Sequence, residues 1–296
     1  MAVGREIVSK IRSVESTQKI TKAMQMVSTS KMRKTQERMK KARPYAEEIR
    51  GVMRHLALSR TYELPALLQK REVIRKACIV LITTDKGLCG GLNANILKLF
   101  LAQVQVYQRK NIPLEIVCLG SKGMATCERV GLPVIASAIN LGDSPKLEKL
   151  LGAQRVVFDQ YEQQEIDIVH LMYSKFINTM KQKSVDEVFL PVGQEVLDGK
   201  DKETLRQQSK YQHDYIFEPS AQQVLGFLIE RYLESVIYQA VCDNIASEQA
   251  ARMVAMKSAT DNASSAIKLL KLQYNKSRQA AITTELSEIV AGAAAV

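Results

Sequence analysis

Hydrophobic residues recur at steps of three and four along both ends of this chain. The pattern covers residues 1–60 and returns over residues 219–296. Such spacing lines apolar side chains along one face of an α-helix, so each end is predicted to be one long amphipathic helix. Pro44 lacks a backbone donor and is expected to kink the first helix.

The second helix sets a limit on how the chain can fold. About 70 residues at 1.5 Å per residue make a rod of roughly 105 Å, whereas a compact globule of this chain would be about 50 Å across. Because each rod also carries an apolar stripe that needs covering, we predict that the two ends pair as a long antiparallel coiled coil. Four polar residues interrupt the predicted seam and suggest contact with something outside. They are Gln18, Thr21, Ser258 and Thr260.

The middle of the chain alternates short apolar runs with helical patterns. Strand, helix and strand in repetition indicate a layered domain of the βαβ type. The predicted strands are residues 77–83, 114–119, 133–138, 166–173 and 185–192, and the predicted helices are residues 93–110, 122–130 and 145–164. The fold class is therefore α/β, with an N-terminal coiled-coil helix (1–60), a central Rossmann-like α/β domain (61–218) and a C-terminal coiled-coil helix (219–296).

Positive charge is concentrated at the N-terminal end. The whole chain has a formal net charge of +11, and its first 43 residues hold 12 Lys or Arg against 3 Asp or Glu. A basic helix face can be solvated, can contact an acidic protein, or can bind nucleic-acid phosphates. The basic residues are not interleaved with aromatic side chains, which leaves no platform for stacking on bases.

Few residues have the types and spacing that catalysis or metal binding needs. Five cysteines without a C-x-x-C pair and three dispersed histidines argue against a disulfide framework or a zinc site. The longest apolar run, residues 77–82, is far shorter than the roughly 20 residues of a membrane-spanning helix. We therefore expect a soluble protein of a reducing compartment, without cofactors and without a secretory leader.

The segment 83–93 is glycine-rich and follows the first predicted strand. A glycine-rich turn at a helix N-terminus can hold phosphate, but this one matches neither common phosphate-binding motif. A tight turn between strand and helix is the alternative. Cys89, within it, is either a nucleophile or a small packed residue, and its sequence neighbours include no histidine.

Two further features have alternative interpretations. Met24, Met26, Met32 and Met39 are core filler by their spacing, or they are an adaptable contact surface. The nearly uncharged tail from Leu286 to Val296 is a frayed end, or a smooth plug for an apolar hole.

Four segments of the chain closely resemble the gamma subunit of F-type ATP synthases. They are IRSVESTQKITKAMQMVSTSKMRKTQERMKKARPYAEEIR from Ile11, TTDKGLCGGLN from Thr83, and SEQAARMVAMKSATDNA from Ser247 with YNKSRQAAITTELSEIVAGAAA from Tyr274. The resemblance implies a rotor shaft without catalytic groups, which couples proton-driven rotation of a c-ring to ATP synthesis. The coiled coil would enter a ring of alternating alpha and beta subunits, and the α/β domain would sit on the c-ring beside epsilon.

The resemblance also implies particular contact residues. The residues expected to contact beta from matching motifs are Met24, Arg252, Gln279, Thr283 and Glu285, and those added from charge alone are Lys22, Lys31, Arg33 and Lys34. Tyr215 and Glu218 are expected to contact the c-ring and epsilon. Leu286, Ile289 and Val290 are expected to form an apolar bearing tip.

The chain lacks the inserted cysteine-bearing segment of the chloroplast members, so thiol control is not expected. With no transit peptide recognised, we expect a peripheral protein on the cytoplasmic face of a bacterial inner membrane, associated with the membrane only through its partners. A nucleic-acid-binding coiled coil and a nucleotide-binding enzyme are the rival function classes.

Overall fold

A computed structural model describes residues 2–58, 66–145, 147–192 and 221–294. These residues belong to two compact units. The coiled-coil unit comprises Met1–Ser30 and Arg252–Val296, and the sheet unit comprises Lys31–Ala251. Each terminal helix contributes residues to both units.

Five strands form one sheet in the sheet unit. In chain order they are β1 (Ala77–Ile82), β2 (Leu114–Leu119), β3 (Val134–Ala138), β4 (Ile168–Phe176) and β5 (Gln182–Leu190). Their spatial order is β3-β2-β1-β4-β5, and the first four are parallel. Strand β5 is antiparallel to β4, because the short turn that joins them leaves no room for the crossover that a parallel pair requires.

Three helices of the sheet unit follow the strands as predicted, within a few residues at each end. They are α2 (Leu92–Arg109), α3 (Ser121–Val130) and α4 (Leu147–Glu162), and a 3₁₀ turn covers Ala66–Leu68. The sheet order and these connecting helices confirm the Rossmann-like α/β fold.

Strand β1 lies at the centre of the sheet and is buried along its whole length. Alternate side chains of a strand point to opposite faces, which divides the core into two layers. Ile79 and Leu81 pack with α2 residues such as Phe100. Val80 and Ile82 belong to the other layer, which includes α4 and the first part of the C-terminal helix.

The two terminal helices are continuous over most of their predicted lengths. Helix α1 covers Ala2–Leu58 (57 residues) and continues through Pro44. Helix α5 covers Ala221–Ala294 (74 residues).

Candidate interaction surfaces

The coiled-coil unit is held by an apolar seam with a polar layer inside it. Ile7 of α1 and Met256, Ala263 and Ile267 of α5 are buried. Gln18 Nε2 donates to Ser264 Oγ at 2.7 Å, and the hydroxyl oxygens of Thr21 and Thr260 lie 2.7 Å apart. Residue numbers rise on α1 while they fall on α5, which confirms the antiparallel pairing.

These contacts change the interpretation of the polar interruptions in the seam. The sequence suggested that they face an outside partner. Instead, Gln18, Thr21 and Thr260 form hydrogen bonds across the helix pair, and only Ser258 is exposed. A buried polar pair is stable only when its partners are correctly aligned, so these residues set the register of the two helices.

The last part of α5 extends past the start of α1. Since Gln18 lies opposite Ser264 and Thr21 opposite Thr260, the first residue of α1 falls opposite about residue 280. Residues 278–291 of α5 are accordingly all exposed. We call this segment the free helix end.

The free helix end carries an exposed apolar stripe. Its large apolar residues are Ile282, Leu286, Ile289 and Val290, which are 47%, 58%, 63% and 67% exposed. Spacings of four, seven and eight residues put all of them on one side of the helix. The three predicted tip residues are thus brought together.

Polar residues predicted to contact beta lie beside this stripe. Gln279, Thr283 and Glu285 are exposed on the free helix end. Thr283 Oγ1 donates to the backbone carbonyl oxygen of Gln279 at 2.9 Å.

The remaining predicted contacts have varied environments. In the coiled-coil unit, Lys22 is exposed and Met24 is half-buried. Arg252 is buried, at 7% exposure, and interacts within the chain.

In the sheet unit, Arg33 and Lys34 are exposed, and Arg33 Nε lies 3.5 Å from Glu37 Oε1 one helical turn away. Lys31 is engaged more firmly, because its Nζ lies 2.7 Å from Asp143 Oδ2. Tyr215, Glu218 and the loop at 193–212 lie outside the described residues.

The glycine-rich segment 83–93 is a turn closed by its own side chains. Asn93 Nδ2 donates to Thr84 Oγ1 at 2.7 Å and to Cys89 Sγ at 3.4 Å. The Asp85 carboxylate accepts from the backbone N–H of Ser121, the first residue of α3, at 3.0 Å. Asp85 therefore binds the N-terminus of α3 and not that of α2, the helix that this segment opens. The hydrogen bonds of Asn93 within the turn favour the tight-turn interpretation.

Asp85 also receives hydrogen bonds from the Ser121 hydroxyl and from the N–H groups of Asn140 and Leu141. Partial burial alone would raise the pKa of Asp85, but these donors outweigh it and the pKa is lowered. The charged carboxylate therefore anchors two loops at the end of the central strand.

The cysteines are structural. All five are buried thiols. Burial raises the pKa of Cys78 to about 12 and that of Cys242 to about 11, so both thiols stay protonated near neutral pH. In the described residues, no group of three or more His, Cys, Asp or Glu is placed to hold a metal ion.

One buried cluster could not be predicted from the order of residues along the chain. His170 Nδ1 lies 2.8 Å from Asp186 Oδ1, and His170 Nε2 lies 2.7 Å from the Tyr107 hydroxyl oxygen. The three residues come from β4, β5 and α2, far apart along the chain. Because His170 and Tyr107 are buried, we interpret the cluster as a set of structural hydrogen bonds that holds α2 against the sheet.

No helix in the described part of the chain is long and apolar enough to span a membrane.

Comparison with known proteins agrees along the whole chain. The family model described as ATP synthase matches residues 4–296. A relative named ATP synthase gamma chain, from Neisseria meningitidis serogroup A, is 64% identical and is aligned over 100% of both chains. One of the same name from Chromobacterium violaceum is 56% identical, again over 100% of both.

Solved structures show the same architecture. A chain from the central stalk and c-ring structure of Tetrahymena thermophila mitochondrial ATP synthase has a TM-score of 0.59 at 27% identity, covering 81% of this chain and 99% of that one. A chain from the Euglena gracilis mitochondrial ATP synthase has a TM-score of 0.62 at 20% identity, covering 99% and 94%. The second likeness supports the fold alone.

The fold and the free helix end thus define a protein of the central-stalk class, which works by mechanical contact. The chain belongs to the ATP synthase gamma-chain family. Its function is that of the central rotor shaft, a non-catalytic subunit that couples rotation to ATP synthesis or hydrolysis.

Proposed function

We propose that the free helix end turns inside an apolar bearing formed by the alpha and beta subunits, while the other end of the shaft sits on the c-ring beside epsilon. The observation that carries this proposal is the exposed stripe of Ile282, Leu286, Ile289 and Val290. Removing one such side chain from water contributes about 1.5–3 kcal/mol when burial is complete. An unpaired helix with this stripe is therefore expected to be covered by a partner.

The low charge of residues 286–296 fits a bearing better than a fixed joint. From Leu286 to Val296 the single charged side chain is Glu288. A bearing surface has to turn past three copies of each partner, and ion pairs would hold it at particular angles. Gln279, Thr283 and Glu285 lie where the stripe begins, and we assign them the polar contact with beta.

Positive residues on α1 supply the second contact with beta. Lys22, Arg33 and Lys34 are exposed, and the half-buried Met24 adds an adaptable apolar side chain. We propose that they meet an acidic loop of beta. The buried Arg252 would reach a partner only after a local rearrangement, and Lys31 is already paired with Asp143.

Rotation then changes catalysis through contact energy. Each beta subunit meets a different side of the shaft, and a contact shifts the equilibrium between open and closed beta only if it differs between the two states. The stripe occupies one side of the free helix end, so the shaft has the asymmetry that this mechanism requires.

We also propose a location and the remaining contacts. Tyr215 and Glu218 are assigned to the c-ring and epsilon by the motif that they match. We propose that the chain acts at the cytoplasmic face of the bacterial inner membrane, held there by its partners; the bacterial origin of the named relatives supports this.

The test is reconstitution with alpha and beta subunits. The chain alone should hydrolyse no ATP, and its addition should give a stable, active complex. Leu286→Gln with Ile289→Gln should weaken that complex about tenfold or more, because two apolar side chains lose their burial energy.

The matched control is Leu286→Met with Ile289→Val, which keeps the stripe apolar and should assemble normally. If the glutamine variant assembles and rotates as well as this control, the bearing proposal is wrong.

A further inference from the structure

One carboxylate in the sheet unit contacts both long helices. Asp143 lies in the loop between β3 and α4. Its Oδ2 is 2.7 Å from Lys31 Nζ of α1, and its Oδ1 accepts a hydrogen bond of 3.0 Å from Gln249 Nε2 of α5. Its backbone carbonyl accepts a third bond, of 2.6 Å, from Arg38 Nη1. A single loop residue thus binds two points on α1 and one on α5.

The loop that carries Asp143 is itself fixed to the sheet. Asp85, just after the central strand β1, accepts hydrogen bonds from the N–H groups of Asn140 and Leu141 at 3.0 and 2.9 Å. The Leu141 side chain is buried in the core. Asn140 and Gly142 have φ of +56° and +70°, so the loop turns sharply between its two anchors. A short path of hydrogen bonds therefore connects the centre of the sheet with both helices.

Helix α5 has a second attachment to the sheet. Ser247 Oγ donates to the Ser174 carbonyl oxygen of β4 at 2.9 Å. These two attachments add to the apolar packing of α5 residues such as Ile229 and Leu233 in the core, and together they resist rotation of α5 about its own axis.

The two bonds from α1 to Asp143 also define the register of α1. Moving a helix by one residue shifts it about 1.5 Å along its axis and turns each side chain by about 100°. Either movement of α1 would separate Lys31 and Arg38 from Asp143 together. The residue therefore opposes both sliding and twisting.

We propose that Asp143 is a positioning residue for rotary coupling: it locks α1 and α5 to the sheet, so that torque applied to the sheet unit turns both helices together. This rests on the rotor function proposed above. Lys31 then acts inside the chain through Asp143, and its effect on coupling does not require contact with beta.

The experiment uses the full chain assembled with its partner subunits in proton-pumping vesicles, and measures protons pumped per ATP hydrolysed. Asp143→Asn keeps the shape of the side chain and removes its charge. We expect this ratio to fall about twofold, the size of effect that a half-exposed ion pair supports, with unchanged assembly and melting temperature. Asp143→Glu should restore part of the ratio.

Lys31→Met and the double variant complete a mutant cycle. Both single variants break the same bond, so the double variant should be no worse than either. The matched control is Asp159→Asn, which removes an exposed carboxylate paired with Arg155 on its own helix at 3.1 Å and should leave the ratio unchanged.

Three results would overturn the proposal: an unchanged ratio in Asp143→Asn, a loss equal to that of Asp159→Asn, or additive losses for Asp143→Asn and Lys31→Met. If Lys31→Met lowers the ratio and Asp143→Asn does not, Lys31 contacts beta directly and the role of Asp143 is refuted, while the rotor function stands. If the unmodified chain forms no coupled complex, it is the rotor function that fails.

Discussion

The hydroxyl pair of Thr21 and Thr260 gives a sharp test of why polar residues occupy the helix seam. If the pair sets the register through the hydrogen bond between its two hydroxyl groups, the contribution of each threonine to stability depends on the presence of the other. We predict that replacing one threonine by valine destabilises the coiled-coil unit, whereas replacing both does not.

The expected magnitude follows from counting protons. Three contacts are within reach: Thr21 to the Gln18 carbonyl at 3.0 Å, Thr260 to the Met256 carbonyl at 2.8 Å, and the hydroxyl pair at 2.7 Å. Two hydroxyls have only two protons, so at most two of these bonds exist at once. Thr21→Val leaves Thr260 bonded to its own helix and costs one neutral hydrogen bond, about 1 kcal/mol.

The double variant behaves differently because no hydroxyl remains to be satisfied. Two methyl groups then fill the seam, and the free energy of unfolding should stay within about 0.5 kcal/mol of the original. The mutant cycle should give a coupling energy of about 1 kcal/mol or more.

The assay is urea denaturation of the full chain, followed by the helical circular dichroism signal. Thr29→Val is the matched control, since the exposed Thr29 hydroxyl bonds only to the Gln25 carbonyl of its own helix; its effect should stay below about 0.5 kcal/mol. If the two single losses simply add in the double variant, the hydroxyl pair does not act as a unit and the reasoning is wrong.

Two further predictions concern carboxylates of the sheet unit. Burial raises the pKa of Asp243 to about 6, so the folded state favours the protonated carboxyl and is destabilised when this group is charged. Asp243→Asn should therefore raise the free energy of unfolding, measured by urea denaturation, by roughly 2 kcal/mol at pH 8 and by little at pH 4. An equal gain at both pH values would contradict this. The pKa of Asp85 is lowered instead, so its stabilising effect is complete above its unfolded value of 3.8 and is lost as the pH falls through the folded pKa. Asp85→Ala should lower the free energy of unfolding by about 2–4 kcal/mol at pH 7. In thermal melts, the melting temperatures of the variant and the original chain should become equal only in acid. A difference in melting temperature that persists in acid would refute a charge-dependent anchor.

The long helices were predictable because their information is local. An apolar stripe at steps of three and four identifies each helix without reference to any other part of the chain, and helices α1 and α5 end near the predicted positions. The βαβ order was predictable for the same reason. The antiparallel direction of β5 was not predicted, since it depends on where the chain after β4 turns back.

The candidate site divides in the same way. Leu286, Ile289 and Val290 share a helix face by spacing alone, so their grouping could be predicted. Their exposure could not be predicted, because it follows from where α1 begins opposite α5. Lys31 also depends on the tertiary structure: its charge suggested an outside partner, and the fold pairs it with Asp143, more than one hundred positions away in the sequence. Its contact with beta stays a prediction.

The two helices, the class of the central domain and the family resemblance could be predicted, because periodicity and motif are properties of neighbouring residues. Which polar residues satisfy each other and which surfaces remain uncovered depends on the folded chain. Asp85, Asp143 and His170 have hydrogen-bond partners that are close in space but distant along the chain, so the positions of these partners depend on the whole fold. A hydrogen bond acts over about 3 Å, and no spacing along the chain states which distant residues will come within that distance.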